Sequence, residues 1–411
     1  MTEPHSPQEA QKEGKTPDSP SRIRRNAFLK DVLLCSLSAY GGPEAHLGVF
    51  TDQLVAKRRY LTEEDLIELI ALCSILPGPT STQTIVAIGH RVGGPLLALL
   101  TMLVWALPVL VVMTALSFLY QLLSAGGIPH EVLRYVGPMA VGFIIVAALR
   151  IGRKVVTDVP TAFLMVFGAV VTYFIREPWI FPVVLLLGGA VSIVLAREPG
   201  LFHRADINPP WRYLLAFSVL ALGGVLASWL SESRPIVLFE SFYRYGYLVF
   251  GGGQVVVPVM QSELVEVRGY LTNPEFLTGY GLVQGLPGPM FSFAAYAGGM
   301  AARDGSALLQ VLGAVMGGVG IFLPGLLLIY FVYPVWEDLK KIKAVRVSLR
   351  GISAVAAGLI AVAAVILLLA SGLQWDNLAV VVLSVAALMW GKIPAPLIVV
   401  AALLAGFLVV V

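Results

Sequence analysis

Thr80-Ser81-Thr82-Gln83 places three hydroxyls and an amide directly after Pro77-Gly78-Pro79, inside a segment that is otherwise an apolar helix. Proline costs a helix interior ~3 kcal/mol and glycine ~1 kcal/mol, so the Pro-Gly-Pro ends one helix and Pro79 suits the first position of the next. The N–H groups of that new half-helix point along the positive end of its dipole, a ready anion site. A second break, Gly41-Gly42-Pro43, is followed by Glu44 and His46, two ionisable groups in an apolar stretch. An unperturbed imidazole titrates near neutral pH, so His46 would suit coupling to protons. Expected chemistry is the holding of a small anion, with no bond made or broken.

Both breaks recur. At an offset of 210, Gly41-Gly42 aligns with Gly251-Gly252, Tyr60-Leu61-Thr62 with Tyr270-Leu271-Thr272, and Pro77-Gly78-Pro79 with Pro287-Gly288-Pro289. Over the 40 positions from Tyr40 to Pro79, 14 are identical without a gap. The chain is a duplication, but the copies differ where chemistry would lie. Glu44 becomes Gln254, Gly253 extends the glycine pair, and Thr-Ser-Thr-Gln becomes Met290-Phe291-Ser292-Phe293, leaving the single hydroxyl of Ser292. The first copy is the better equipped to hold a polar ligand.

The elements that must carry these breaks are membrane helices. The chain has 411 residues, 57% hydrophobic and 13% charged, with mean hydropathy +0.83. Soluble domains carry ~25% charged residues. Apolar runs near the ~20 residues that cross a bilayer recur at 96–123, 132–149, 161–175, 180–195, 213–229, 308–333, 352–371, 378–390 and 394–411. Four more are apolar but broken: 28–55, 66–92, 239–259 and 276–302. The expected fold is an all-α polytopic membrane protein. Residues 1–27, rich in Pro, Ser, Glu and Lys, form a disordered cytoplasmic arm, followed by a first repeat at 28–229 and a second at 230–411.

Basic residues gather before the first span, at Arg150, Arg153 and Lys154, at Arg197, Arg204 and Arg212, and from Lys340 to Arg350. The positive-inside rule puts all of these, and the N-terminus, in the cytoplasm. Five spans separate the two broken pairs, so the repeats are expected to be inverted, the architecture of secondary transporters with broken helices at the midplane. Lys57, Arg58 and Arg59 fall inside if the first broken segment is a hairpin and outside if it crosses. Asp52, Glu68, Glu263 and Glu266 are expected to face water, and Arg91 to complement a helix C-terminus. Cys35 and Cys73 read as small buried residues rather than a disulfide. No Cys/His metal spacing, no P-loop and no catalytic triad is present, so no cofactor, no metal and no enzymatic activity is expected.

Taken together, residues 28–50 and 74–94 and their second-half partners resemble the chromate ion transporter family, in its long-chain, two-domain form. The resemblance covers nearly the whole chain after residue 28. It implies efflux of chromate across the bacterial inner membrane, driven by membrane potential or an ion gradient. Its motifs fall on Gly41, Gly42, Pro43, His46, Pro77, Gly78, Pro79, Thr82 and Gln83, and on Gly251, Gly252, Gly253, Gln254, Pro287, Gly288 and Pro289. Sulfate, another tetrahedral dianion, stays open as substrate, as do an anion channel of the same architecture and a membrane scaffold or sensor. Expected partners are the oxyanion and the lipid bilayer, with a homodimer left open and nucleic acid excluded.

Overall fold

A computed structural model describes residues 25–125, 130–196, 208–250, 253–340 and 342–410, and the regular elements found there are helices. The expected arm up to residue 24 lies outside the described residues, and Arg25 already begins the first helix, two residues before the arm was expected to end. That helix, α1 (Arg25–Ser38), stops before Gly41 and Gly42, whose φ values of 91° and 88° are accessible to glycine at little cost. The chain reverses there into α2 (Pro43–Phe50), which continues as a π-helical stretch, Thr51–Lys57. The Phe28 and Tyr60 rings lie 5.2 Å apart, so both ends of this segment sit side by side. It is a hairpin and does not cross.

The next segment repeats that plan. Helix α3 (Glu63–Ile75) opens with a reciprocal cap between Thr62 and Asp65 and ends before Pro77-Gly78-Pro79. Helix α4 (Thr80–Ala125) then returns to the starting level, where Arg91 pairs with Asp65 at 2.7 Å. Arg91 therefore answers a carboxylate, beyond the helix-dipole role expected for it. At Gly93 and Gly94 the backbone leaves helical geometry, dividing α4 into a half-helix and a long crossing helix. Helices α5 (Val136–Val155), α6 (Val159–Phe174) and α7 (Ile180–Leu195) complete the first half. Helix α8 (Trp211–Leu230) has no buried residue and connects the halves.

The second half follows in the same order. Helix α9 (Arg234–Leu248) and α10 (Val256–Gln261), extended by π-helical Ser262–Val267, make one hairpin. Helices α11 (Asn273–Gln284) and α12 (Phe293–Ala301) make the other. Their ends meet as in the first half: the Arg234 guanidinium lies 3.9 Å from the centre of the Tyr270 ring, and Arg303 pairs with Glu275 at 3.1 Å. Correspondence reaches single residues, since Arg59 (φ 53°) is matched 210 positions later by Gly269 (φ 59°). Helices α13 (Ala307–Val332), short α14 (Trp336–Leu339), α15 (Lys343–Ala370), α16 (Trp375–Trp390) and α17 (Ala395–Val410) follow.

Five helical stretches among the described residues are long and apolar enough to cross a membrane, and four shorter apolar helices accompany them. The crossing part of α4 and α13 run antiparallel and link the two hairpin pairs. At one end Tyr330 donates its hydroxyl to the Pro95 carbonyl; at the other Gln121 Nε2 donates to the Arg303 carbonyl at 3.4 Å. Pro95 and Gln121 are 26 residues apart, about 39 Å along a helix. The base of the first hairpin pair is thus at one end of this crossing, and the base of the second is at the other. Helices α1 and α3, at 14 and 13 residues, are about 20 Å long, too short to span ~30 Å of hydrocarbon.

Helix contacts depend on glycine seams, since lipid supplies no hydrophobic drive and small residues let backbones approach. A Cβ on Gly298 of α12 would lie 2.2 Å from the Gly313 carbonyl oxygen of α13. One on Gly351 of α15 would lie 2.0 Å from that of Gly188 on α7. Gly298→Val should therefore force α12 and α13 apart and destabilise the protein by ~1–3 kcal/mol, the usual cost of overpacking. Gly223→Val on α8, whose new Cβ meets nothing within 4 Å, should change little. Thermal unfolding of both variants in detergent reads the difference.

Candidate functional site

Each Pro-Gly-Pro tip meets the end of a helix from the other half, and backbone joins them. The Gly78 N–H donates to the Val249 carbonyl at 2.7 Å, and the Gly288 N–H donates to the Ala39 carbonyl at 2.9 Å. Both glycine and acceptor are 210 residues apart between the two bonds, so one bond is the other with the halves exchanged. Each Pro-Gly-Pro tip therefore docks on the end of the other half's first helix. Glycine is required at both. Gly78 has φ 124° and Gly288 φ 99°; a Cβ on Gly78 would come within 2.9 Å of Gln83 Nε2, and one on Gly288 within 3.1 Å of Val109.

The half-helix after the first tip begins at Thr80, so Pro79 stands one residue earlier than expected, as the cap whose carbonyl accepts the Gln83 N–H at 2.9 Å. The amides of Thr80, Ser81 and Thr82 belong to the turn that lacks intrahelical acceptors. Side chains here are mostly inside: Ser81 is 6% exposed, Thr82 3%, Gln83 1% and His46 2%. His46 Nδ1 lies 3.0 Å from Ser81 Oγ, joining the glycine hairpin to the Pro-Gly-Pro hairpin, with the imidazole tautomer deciding which donates. Thr82 Oγ1 accepts the Trp105 indole N–H at 3.1 Å, and the Trp105 ring stands edge-on to His46 and Phe50. Ser36 in turn donates to the Trp105 carbonyl at 2.7 Å. Gln83 Nε2 donates to the Pro77 carbonyl at 2.8 Å, while its buried Oε1 has no hydrogen-bond partner among the described residues.

Of the expected site residues, His46, Pro77, Gly78, Pro79, Thr80, Ser81, Thr82 and Gln83 thus form one constellation with the Gly41-Gly42 tip. Backbone at Pro43 and Glu44 continues it as the first turn of α2, and the Gly42 carbonyl accepts the His46 N–H at 3.1 Å. On the other half, Gly251 and Gly252 lie outside the described residues, and Gly253 opens a 3₁₀ turn. Gln254 accepts the Tyr280 hydroxyl. Pro287, Gly288 and Pro289 form the tip, and Ser292, fully buried, has a hydroxyl without a hydrogen-bond partner among the described residues. Buried polar atoms left unpaired are uncommon, and two of the eight among the described residues, Gln83 Oε1 and Ser292 Oγ, follow a Pro-Gly-Pro tip.

Sequence reasoning passed over Trp105 and Ser36, which fix the constellation from behind, because neither sits in a break. It also passed over Asp31, Glu240 and Arg244, although each is a charge inside an apolar broken segment and so a functional candidate by default. Asp31, 1% exposed, accepts from Gln53 and Arg58 at 3.0 Å each and from Tyr60 at 2.6 Å. Glu263, expected to face water, is 2% exposed, because the π-helical stretch turns it inward to Arg244, Arg268 and Ser241. Glu266 pairs with Arg176, Glu68 with Lys340 and Asp52 with Lys57. Cys35 and Cys73 are free and buried. Among the described residues no group of three or more His, Cys, Asp or Glu could hold a metal ion.

Trp105→Phe should remove the donor to Thr82 while keeping the ring packing against His46. The loss expected is about 1 kcal/mol of stability by chemical denaturation. Gly288→Ala adds a single methyl group yet should cost ~1–3 kcal/mol in the same measurement, because it adds backbone strain to the Val109 contact.

A sequence model described as chromate transporter matches residues 27–193 and 236–407, leaving out the stretch that contains α8. The chromate transport protein of Pseudomonas aeruginosa is 29% identical over 346 residues, covering 81% of this chain and 77% of that protein. A probable chromate transport protein of Synechococcus elongatus is 26% identical over 328 residues, 80% of each chain. The chromate transport protein of Cupriavidus metallidurans is 25% identical over 338 residues, 80% of this chain and 79% of that one. No solved structure matches. With the family's pattern filling both halves, this polytopic membrane protein belongs to the chromate transporter family.

Proposed function

We propose that the chain is a secondary transporter that moves a tetrahedral oxyanion, chromate, out of the bacterial cytoplasm, driven by the membrane potential or an ion gradient. The observation that carries this reading is the docking of both Pro-Gly-Pro tips on the opposite half through the Gly78–Val249 and Gly288–Ala39 bonds, beside a hydroxyl-bearing half-helix N-terminus. Such a terminus supplies N–H donors and dipole to an anion without a fixed positive charge. The relatives named as chromate transport proteins support the choice of anion. A gradient-driven mechanism is supported by a sequence without a P-loop.

In this reading the repeats are inverted in the bilayer, with the first hairpin pair entering from the cytoplasm and the second from outside. Support comes from the two bases lying at opposite ends of the α4 crossing, and from hairpin arms too short to span. The substrate station lies between the tips, held by the first turn after Pro79 with His46, Ser81, Thr82 and Gln83, and Ser292, unpaired after the other Pro-Gly-Pro tip, adds a hydroxyl to it.

Everted vesicles energised in the presence of labelled chromate should accumulate it above vesicles lacking the protein; equal levels would remove chromate from the reading. Sidedness has its own test. Lys57→Cys and Val267→Cys, exposed equivalents 210 positions apart, should react with an impermeant thiol reagent from opposite faces. Labelling of both from the same face would rule out inverted repeats.

A further inference from the structure

The two halves solve one problem with exchanged parts. In the first, the buried carboxylate is on α1 (Asp31) and the neutral partner on the π-helical stretch (Gln53). In the second, 210 residues later, the neutral partner is on α9 (Ser241) and the carboxylate is on the π-helical stretch (Glu263). Arg58 and Arg268 close the two corners at 3.0 and 2.9 Å. The second corner has an addition without counterpart: Arg244 reaches Glu263 at 3.0 Å and Glu240 at 2.7 Å, where the first half has Leu34 and Lys30.

Glu263 is thus an anion in a cradle of two guanidinium groups and a hydroxyl. Guanidinium forks bind carboxylates and tetrahedral oxyanions with the same donors. Both arginines are reachable, with side chains 21% and 30% exposed, while the carboxylate between them is 2% exposed. Position matters as well. Arg244 is ten residues past Arg234 at the hairpin base and five before Val249 at the tip, about 15 Å and 7 Å along the helix. It stands between one base and the point where the tips meet. A charge at such depth costs too much to be ornamental.

We propose that Arg244, Arg268 and Ser241 form a second oxyanion station, between the hairpin tips and the base of the second half, which Glu263 occupies as an internal counter-anion until a dianion displaces it. Glu240 stays on Arg244 and keeps that guanidinium aimed. The self-occupied cradle keeps the charges of two guanidinium groups matched by two carboxylates in a low-dielectric interior between passages. The inference rests on the transport reading above for its purpose, though not for its binding chemistry.

The test uses full-length protein in detergent and sulfate as a non-oxidising tetrahedral dianion. An arginine-specific dicarbonyl reagent is followed by peptide mass spectrometry. Sulfate, and not chloride at equal ionic strength, should slow modification of Arg244 and Arg268 several-fold, while Arg134, paired with Asp376 elsewhere, is unaffected. Glu263→Gln removes the internal competitor, so the same protection should appear at several-fold lower sulfate. Equal rates at Arg244 with and without sulfate in the wild-type protein would overturn the proposal, whether or not the variant folds. Protection without chromate flux in vesicles would keep the station and defeat the transport reading; flux without protection would do the reverse.

Discussion

Every interrupted helix in hydrocarbon leaves main-chain donors and acceptors that no water reaches, at several kcal/mol each. Two reciprocal bonds across the centre of this protein answer that constraint for both Pro-Gly-Pro tips. Much else follows. The tip glycines adopt backbone angles that side chains resist, the helices before them stop short of a full crossing, and the halves dock as each other's partners. Long helices α4 and α13 then serve as the frame that keeps the two hairpin pairs facing one another.

Around that centre the halves have diverged in charge and polarity. Hydroxyls, an imidazole and an indole N–H crowd the tip of the first half. The second half places Met290, Phe291 and Phe293 there and keeps its polar chemistry between the tip and its own base, in the arginines and carboxylates around Glu263. In each half the arginine that closes the π-helical stretch pairs with an inward acid, yet that acid sits on α1 in the first half and on the stretch itself in the second. Such an exchange preserves the ion pair while changing which element carries the negative charge.

The breaks, the duplication and the membrane-helix class were legible because glycine and proline act through the backbone, and apolar length is a property of a run. His46 and the residues after Pro79 were legible for the same reason, lying next to breaks. What could not be read was pairing that depends on the chain doubling back. Asp31 and Arg58 are 27 residues apart, and only a hairpin brings them together. Glu263 looked solvated because its stretch is amphipathic at α-helical period, whereas a π-helical winding shifts which side faces inward. Trp105 gave no signal, being one large apolar residue among many in a crossing helix.

The joint at the centre is written in main chain. An N–H and a carbonyl belong to nearly every residue, so ordinary substitution at Ala39 or Val249 leaves both bonds available. The only side-chain identities the joint fixes are the two tip glycines. Lineages are then free to rewrite the surrounding residues, as the two halves of this one chain have already done, without losing the seam that holds the halves in register. The joint itself is separable from the side chains around it, and change in one need not disturb the other.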